Sequence, residues 1–210
     1  MMKKLILIVV TMFMAVGVEA RTVRDFFASE PNNIFMLLPL TTRLDLLDYY
    51  DNDQIVQAKN NMGEGTQLIT VEDNYLHVRM SSSKTVQMLM VPTKKDTLIA
   101  VIETFEVPIK DSKVSFFDSK WYPLVNKHFK MPELGDFVRK GVDKKHSEQL
   151  LGEIPFALID LTFEGKDHTK LVARHGLQKF LTKEEYAPLD KILVPSLTYD
   201  LNGVQWKLTK

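Results

Sequence analysis

Four consecutive runs of apolar and β-branched residues, beginning at Thr66, restrict the folds that this chain can adopt. The runs are TQLITVE, YLHVRMS, KTVQMLMV and DTLIAVIETFEV, and they are separated by Asp73–Asn74, by three serines and by PTKKD. Val, Ile, Thr and Phe are typical of strands, whereas Asp, Asn, Ser and Pro are typical of turns. Because turns this short join antiparallel neighbours, the sequence predicts an antiparallel sheet.

The segment KDSKVSFFDSKWYPLV repeats the triplet Asp-Ser-Lys on either side of a short alternating run. Asp and Ser favour turns because their side chains bond nearby backbone amides. We therefore predict that Pro108 and the first triplet, residues 111–113, form a turn. VSFF is then a strand, and the second triplet, residues 118–120, turns the chain before Trp121.

Helical patterns come before these strands. TVRDFFASEP predicts a short helix that ends before Pro31. Thr42 and Asp45 have the spacing of a capping box, and apolar residues then recur at steps of three. These signals predict a helix over residues 43–51.

The second half of the chain again begins with helical patterns, in PELGDFVRKG and SEQLLGEIP. Strands follow in PFALIDLTFE, TKLVARH and SLTYDLNGVQWKL. Asn202–Gly203 predicts a hairpin with a type I′ turn, because both residues tolerate positive φ. Between the strands, Thr182 and Glu185 predict a further short helix that ends before Pro188.

The resulting fold class is α+β, with antiparallel sheet or sheets and short helices packed on one face. Two arrangements fit the order of elements. One consists of two tandem α-α-β-β-β-β units, in residues 21–125 and 126–210. The other is a single compact unit with one long antiparallel sheet.

The first twenty residues, MMKKLILIVVTMFMAVGVEA, have the features of a secretory signal peptide. Two lysines precede an apolar run over residues 5–18, and short side chains stand before a cleavage point after Ala20. The run is shorter than the roughly 20 residues that span a membrane. We expect an exported, periplasmic or secreted protein that begins at Arg21.

The composition excludes several classes of site and partner. The sequence has no cysteine, which excludes disulfides, thiolate metal sites and a lipid anchor on cysteine. Residues 21–210 carry a net charge of −1, without a basic run. Nucleic acid and anionic membrane surfaces are poor partners for such a chain, because both require concentrated positive charge.

No motif of catalysis, metal binding or cofactor binding is present. The five histidines lack zinc-site spacing, and His77 is expected to face solvent from its strand. Gly63–Gly65 lacks the third glycine of a dinucleotide loop, and LLDYYDND lacks the later residues of a calcium loop. We therefore predict no metal ion and no cofactor.

Two segments resemble a known family. They are IFMLLPLTTRLDLLDYYDND and DTLIAVIETFEVPIKDSKVSFFDSKWYPL, whose most specific parts are the Arg43-x-Asp45-Leu-x-Asp48-Tyr helix and the stretch from Asp111 to Trp121. The sequence is similar to a family of small exported Bacteroidetes proteins described only as a domain of unknown function. Phe117 departs from the tyrosine expected there. The resemblance implies export and an α+β fold, with no assigned activity or cofactor.

Two functions fit these observations. The favoured one is a non-enzymatic module that binds a protein, a peptide or an envelope glycan on an open sheet face, with Trp121 as the candidate aromatic of the binding surface. The alternative is a hydrolase whose carboxylates only the fold assembles. Its candidate acids are Asp45, Asp48, Asp111 and Asp118. Arg43 is the candidate partner of these acids, and the oligomeric state is not indicated.

Overall fold

The computed structural model describes residues 21–31, 33–54, 57–106 and 108–209. Within these residues ten strands are present. They are β1 (Ala58–Lys59), β2 (Gly65–Val71), β3 (Tyr75–Arg79), β4 (Lys84–Pro92), β5 (Thr97–Glu106), β6 (Lys110–Phe117), β7 (Ile159–Glu164), β8 (Lys170–His175), β9 (Ser196–Asn202) and β10 (Gln205–Leu208).

Five short α-helices and one 3₁₀ helix accompany the strands. They are α1 (Val23–Ser29), α2 (Leu40–Asp51), the 3₁₀ helix (Leu134–Phe137), α3 (Lys144–Gly152), α4 (Leu177–Phe180) and α5 (Lys183–Ile192). Thr22 begins α1 and Thr182 begins α5, each through a capping box with an acid three residues later. Such reciprocal bonds satisfy two backbone donors that the first helical turn leaves unpaired.

The strands form two antiparallel sheets. The first has the order β1-β2-β3-β4-β5-β6, so each strand pairs with its neighbour in sequence. The second has the order β10-β9-β8-β7. Because α4 and α5 separate β8 from β9, the second half does not repeat the element order of the first.

The first sheet is covered on both faces. On one face, side chains of α1 and α2 pack against the sheet. They include Phe26, Phe27 and Leu46, which lie in one apolar cluster with Met88 and Val101. On the other face, alternate residues of β4, β5 and β6 pack with the second sheet and with α5. This alternation follows from the period of two in a strand. The central strands β4 and β5 are therefore buried on both sides.

Strand β7 is the edge of the second sheet, and it crosses the first sheet from β6 to β4. Three of its backbone N–H groups donate to side chains there: Ile159 to Asp111, Leu161 to Ser112 and Phe163 to Gln87. A sheet edge leaves a row of backbone groups unpaired, and these must find partners when they are buried. Side chains of the first sheet thus take the place of a neighbouring strand.

The structure confirms the α+β class, with antiparallel sheets and short helices. It corrects several local predictions. Helix α2 begins at Leu40 after Pro39, without a side-chain cap, so Thr42 is not the cap. The first Asp-Ser-Lys triplet is not a turn but lies inside β6, where it pairs with β5 and where Asp111 and Ser112 accept backbone amides of β7. Helix α5 continues through Pro188.

Three further differences concern turns and the sheet face. Only a 3₁₀ helix forms in PELGDFVRKG, although Gly141 has the positive φ of a turn, 87°. In the β9–β10 hairpin, Asn202 pairs with Gln205 and Gly203 alone has positive φ, so the turn is not type I′. The sheet face that was expected to be open for a partner is covered by the second sheet along its apolar part and is open only beside β7.

The N-terminal segment assigned to a signal peptide, residues 1–20, lies outside the described residues. Among the residues that are described, none of the helices combines the length and the apolar character needed to span a bilayer.

Candidate functional site

The four acids predicted as a catalytic group are not assembled into one site. Asp48 accepts a bond from Asn52 at the end of α2. Asp111 accepts the Ile159 amide, and Asp118 accepts the amides of Lys120 and Tyr122 in the turn after β6. Asp45 lies exposed on α2. Three of these acids therefore stabilise a turn, a helix end or a strand edge.

Arg43 is buried, at 2% exposure, and its partner is an acid that sequence analysis did not single out. Its Nη1 lies 3.7 Å from Oε2 of Glu30 and donates to the carbonyls of Phe27 and Glu30, at 2.8 and 2.9 Å. Glu30 was not among the acids that sequence analysis named as candidates for Arg43. Arg43 links α2 to the end of α1.

Trp121 is a core residue, which corrects its assignment to a binding surface. It is 6% exposed and its ring packs against Phe26 and Phe117, with centroids 6.3 and 5.4 Å apart. The second Asp-Ser-Lys triplet does form a turn, as predicted, and Trp121 adopts a φ of 65° at its end. This conformation is unfavourable for a large residue, and ring burial compensates for it.

The best candidate for a functional site is a polar cleft of about 750 Å³ where β7 crosses the first sheet. We call it the polar cleft. Strands β2 to β6 form its floor, and Asp160 and Thr162 of β7 form one wall. Its lining residues are Gln57, Glu64, Gly65, Ile69, His77, Arg79, Ser81, Ser82, Ser83, Lys84, Thr85, Gln87, Thr104, Glu106, Lys110, Asp160 and Thr162. Cavities of roughly 300–1,000 Å³ are typical of ligand sites.

His77 lies on the floor of the polar cleft, opposite Gln87 in the sheet. Burial, followed by the nearby charges of Lys110 and Arg79, lowers the pKa of His77 to about 4. Its Nε2 is buried without a hydrogen-bond partner among the described residues. His77 is therefore neutral near pH 7, and its side chain is half-buried in the cleft rather than fully exposed.

Asp160 lies on the opposite wall. Burial is the main cause that raises the pKa of Asp160, and the Glu106 carboxylate adds to it, whereas Lys110 and Arg174 oppose it. Lys110 Nζ lies 4.0 Å from Asp160 Oδ2. A partly buried acid with a perturbed pKa in a cleft is typical of functional sites, although structural ion pairs produce the same effect.

Two other charged side chains of the cleft already interact with neighbouring residues. Lys84 Nζ lies 2.7 Å from Oε1 of Glu103. The Glu64 carboxylate accepts both the amide and the hydroxyl of Ser82, which lowers the pKa of Glu64. The guanidinium of Arg79, by contrast, forms no ion pair within the part of the chain that the structure describes. It stands exposed at the rim.

Gln87 connects the polar cleft to the core. Its Oε1 accepts from the Tyr75 hydroxyl and the Phe163 amide, both at 3.0 Å, and its Nε2 donates to the Leu161 carbonyl at 3.4 Å. These bonds hold β7 in place and fix the wall that carries Asp160. The floor and wall are therefore preorganised, which favours binding because little has to be ordered on contact with a ligand.

Sequence analysis missed the residues of this cleft because they carry no motif. His77 and Arg79 share a face of β3, but their sequence context is an ordinary strand. Asp160 is separated from His77 by more than eighty residues, so only the crossing of β7 brings them together. Among the described residues, no cluster of three His, Asp or Glu side chains is arranged to hold a metal ion.

The fold and the cleft define a two-sheet α+β protein with a preorganised polar cleft beside the sheet crossing. Residues 15–206 match the family described as "Protein of unknown function (DUF3256)", and the chain belongs to that family. The membership expected from sequence is thereby confirmed.

A solved structure shares the fold. It is described as the structure of a domain of an uncharacterized protein from Porphyromonas gingivalis W83. The TM-score is 0.76 at 17% sequence identity, over 89% of this chain and 97% of that chain. No curated protein matches this chain.

Proposed function

We propose that the protein is an exported, non-enzymatic module that binds a peptide segment in the polar cleft. The observation that carries this proposal is the cleft itself, a preorganised cavity of about 750 Å³ lined by hydroxyl, amide and charged side chains of both signs. A peptide backbone offers alternating donors and acceptors that such side chains can pair with. Export rests on the signal-peptide pattern of residues 1–20.

Peptide is favoured over glycan because of what lines the cleft. Among the described lining residues there is no Phe, Tyr or Trp. Sugar rings commonly bind by packing an apolar face against an aromatic ring, and the cleft offers no such platform. Thr85 supplies a short hydroxyl on β4, a strand that is paired on both sides, which suits main-chain recognition.

The test is affinity selection of a random library of short peptides against residues 21–210. A matched pair of variants locates the binding site. Thr85→Tyr places a large side chain in the cleft, whereas Thr198→Tyr makes the same change on β9, away from it. Both replacements suit a strand. Circular dichroism and thermal unfolding establish that both variants fold.

We expect peptides that bind wild type and Thr198→Tyr equally, and Thr85→Tyr at least about tenfold more weakly, since steric filling removes the site. Enrichment of no peptide, or of peptides that bind both variants equally, contradicts the proposal. A parallel array of bacterial oligosaccharides tests the alternative ligand. If an oligosaccharide binds wild type but not Thr85→Tyr, the ligand is a glycan and not a peptide.

A second function has one observation in its favour. Asp160, with a pKa raised by burial, faces the same cleft as His77. A carboxyl group whose pKa is raised and a neutral imidazole are the kinds of group that general acid–base catalysis uses. The test is turnover of fluorogenic peptide substrates by wild type, Asp160→Asn and Asp111→Asn. Activity that Asp160→Asn abolishes and Asp111→Asn retains would favour a hydrolase, and no turnover excludes this version.

A further inference from the structure

We propose that the polar cleft recognises a carboxylate of the bound peptide, and that Arg79 is the residue that binds it. This inference rests on the proposed peptide-binding function and adds the chemical group that the cleft selects. The group that we assign to it is the C-terminal carboxylate of the peptide.

The position of Arg79 supports this role. It lies two residues after His77 on β3, and it pairs with Thr85 on β4 and with Gln67 on β2. The side chains of Arg79, His77 and Thr85 all line the same cleft. A planar guanidinium donates two parallel bonds to a carboxylate, which gives both affinity and orientation.

Two features leave the guanidinium available. Within the described residues Arg79 has no carboxylate within ion-pair distance, whereas Lys84 is already paired with Glu103 at 2.7 Å. The nearest histidine, His77, is neutral near pH 7 and does not compete for an anion. An incoming carboxylate would therefore find one strong and unoccupied cationic group.

The electrostatic potential at the floor of the cleft also favours a carboxylate beside Arg79. Lys110 and Arg79 both act on His77 in the direction that opposes a positive charge there. An anion placed beside these groups meets a favourable potential. The acids that line the cleft are Glu64, Glu106 and Asp160. The Glu64 carboxylate is bonded to Ser82, and Lys110 lies 4.0 Å from Asp160.

These charges also orient the ligand. With its carboxylate at Arg79, the peptide would extend toward Asp160 and Glu106, which accept hydrogen bonds from N–H groups. A carboxylate at the other end would instead meet two acids. The cleft therefore favours one direction of binding.

The test uses two probes that differ only in the acid group: an N-acetylated tripeptide with a free C-terminal carboxylate and the same tripeptide with a C-terminal amide. Each is titrated into residues 21–210 while the ring resonances of His77 are followed by nuclear magnetic resonance. The variants are Arg79→Gln and Arg79→Lys. The matched control is Arg139→Gln, since Arg139 is also exposed but lies outside the cleft.

We expect the acid to bind at least about tenfold more tightly than the amide, because a charge-assisted pair is lost in the amide. Arg79→Gln should remove this preference and Arg139→Gln should retain it. Arg79→Lys should keep part of it, because an ammonium supplies the charge without the fork. The bound acid should also raise the pKa of His77, since an adjacent anion stabilises imidazolium.

Equal affinity for acid and amide, with both blocked by Thr85→Tyr, would overturn the carboxylate inference and leave peptide binding intact. An acid preference that persists in Arg79→Gln would overturn the role of Arg79. If neither probe shifts His77 and library selection also fails, peptide binding itself is contradicted.

Discussion

The buried ion pair between Glu30 and Arg43 allows a quantitative test of how α1 and α2 are held together. Both residues are 2% exposed, and the two charged groups approach to 3.7 Å. The Glu30 carboxylate also accepts the amides of Asn33, Ile34 and Phe35. The substitution Glu30→Gln keeps the shape and one acceptor oxygen, and it removes the negative charge.

The expected cost follows from removing the carboxylate that lies beside the buried Arg43 guanidinium. Burial lowers the pKa of Arg43 and the Glu30 carboxylate opposes this, but arginine stays protonated. Removing one partner of a buried pair costs about 3–5 kcal/mol of unfolding free energy. For a chain of this size each kcal/mol lowers Tm by about 2–4 °C, so Tm should fall by about 6–20 °C.

The assay is guanidinium and thermal unfolding of residues 21–210. A matched control joins the same two helices at the surface: Arg24 and Asp51 approach to 2.7 Å with side chains 35% and 53% exposed. Because exposed pairs contribute about 0–1 kcal/mol, Asp51→Asn should cost no more than that. Comparing the two losses of unfolding free energy shows how much of the cost comes from burial of the pair and how much from the pair itself.

A double variant tests the cause. Adding Arg43→Met to Glu30→Gln removes the uncompensated charge, so part of the lost stability should return. The recovery is incomplete because Arg43 also donates to two backbone carbonyls, of Phe27 and Glu30. A Glu30→Gln variant as stable as Asp51→Asn, or a double variant less stable than Glu30→Gln, would refute this reasoning.

Three other predictions concern the core and the cleft. Gln87→Leu should cost about 1–3 kcal/mol for each buried group that it leaves without a partner, measured by guanidinium unfolding. Trp121→Ala should cost about 3–5 kcal/mol by the same assay, and a loss under 1 kcal/mol would contradict its placement in the core. Because the folded-state pKa of His77 is below its unfolded value, stability should fall as pH drops from about 6.5 through about 4. His77→Gln should reduce this slope, and His175, whose pKa burial also lowers, should account for part of the remainder.

Local signals predicted most of the strands because each depends on its own residues. The alternation of apolar side chains and the turn residues between them were sufficient to place β2 to β5 and β7 to β10. Failures occurred where a distant contact decides the local structure. The first Asp-Ser-Lys triplet has turn residues, yet it extends β6 because Ser112 and Asp111 bond to the amides of β7.

The candidate site was unpredictable for a related physical reason. In the sequence, Trp121 looks like a binding residue, since aromatic residues are common at interfaces, and Arg43 looks like a partner of the acids of its own helix. Whether they are exposed depends on packing between segments that are far apart in sequence. Trp121 meets Phe26 of α1, and Arg43 meets Glu30. Neither contact has a spacing or a motif that sequence analysis could use.

One feature of the cleft is nevertheless encoded locally, in the run KTVQMLMV. Along the face of β4 that meets the second sheet, the residues change in order from Thr85 and Gln87 to Leu89 and Val91. The apolar end packs with the second sheet, and the polar end opens into the cleft, with Gln87 at the boundary bonded to β7.

Strand β5 shows the same change from apolar to polar residues, from Ile102 to Thr104 and Glu106. The changes lie one pair apart, because Gln87 pairs with Ile102 and Thr85 with Thr104. The strand sequences thus specify where the cleft lies, whereas the bonds of Gln87 to β7 determine where the apolar core ends.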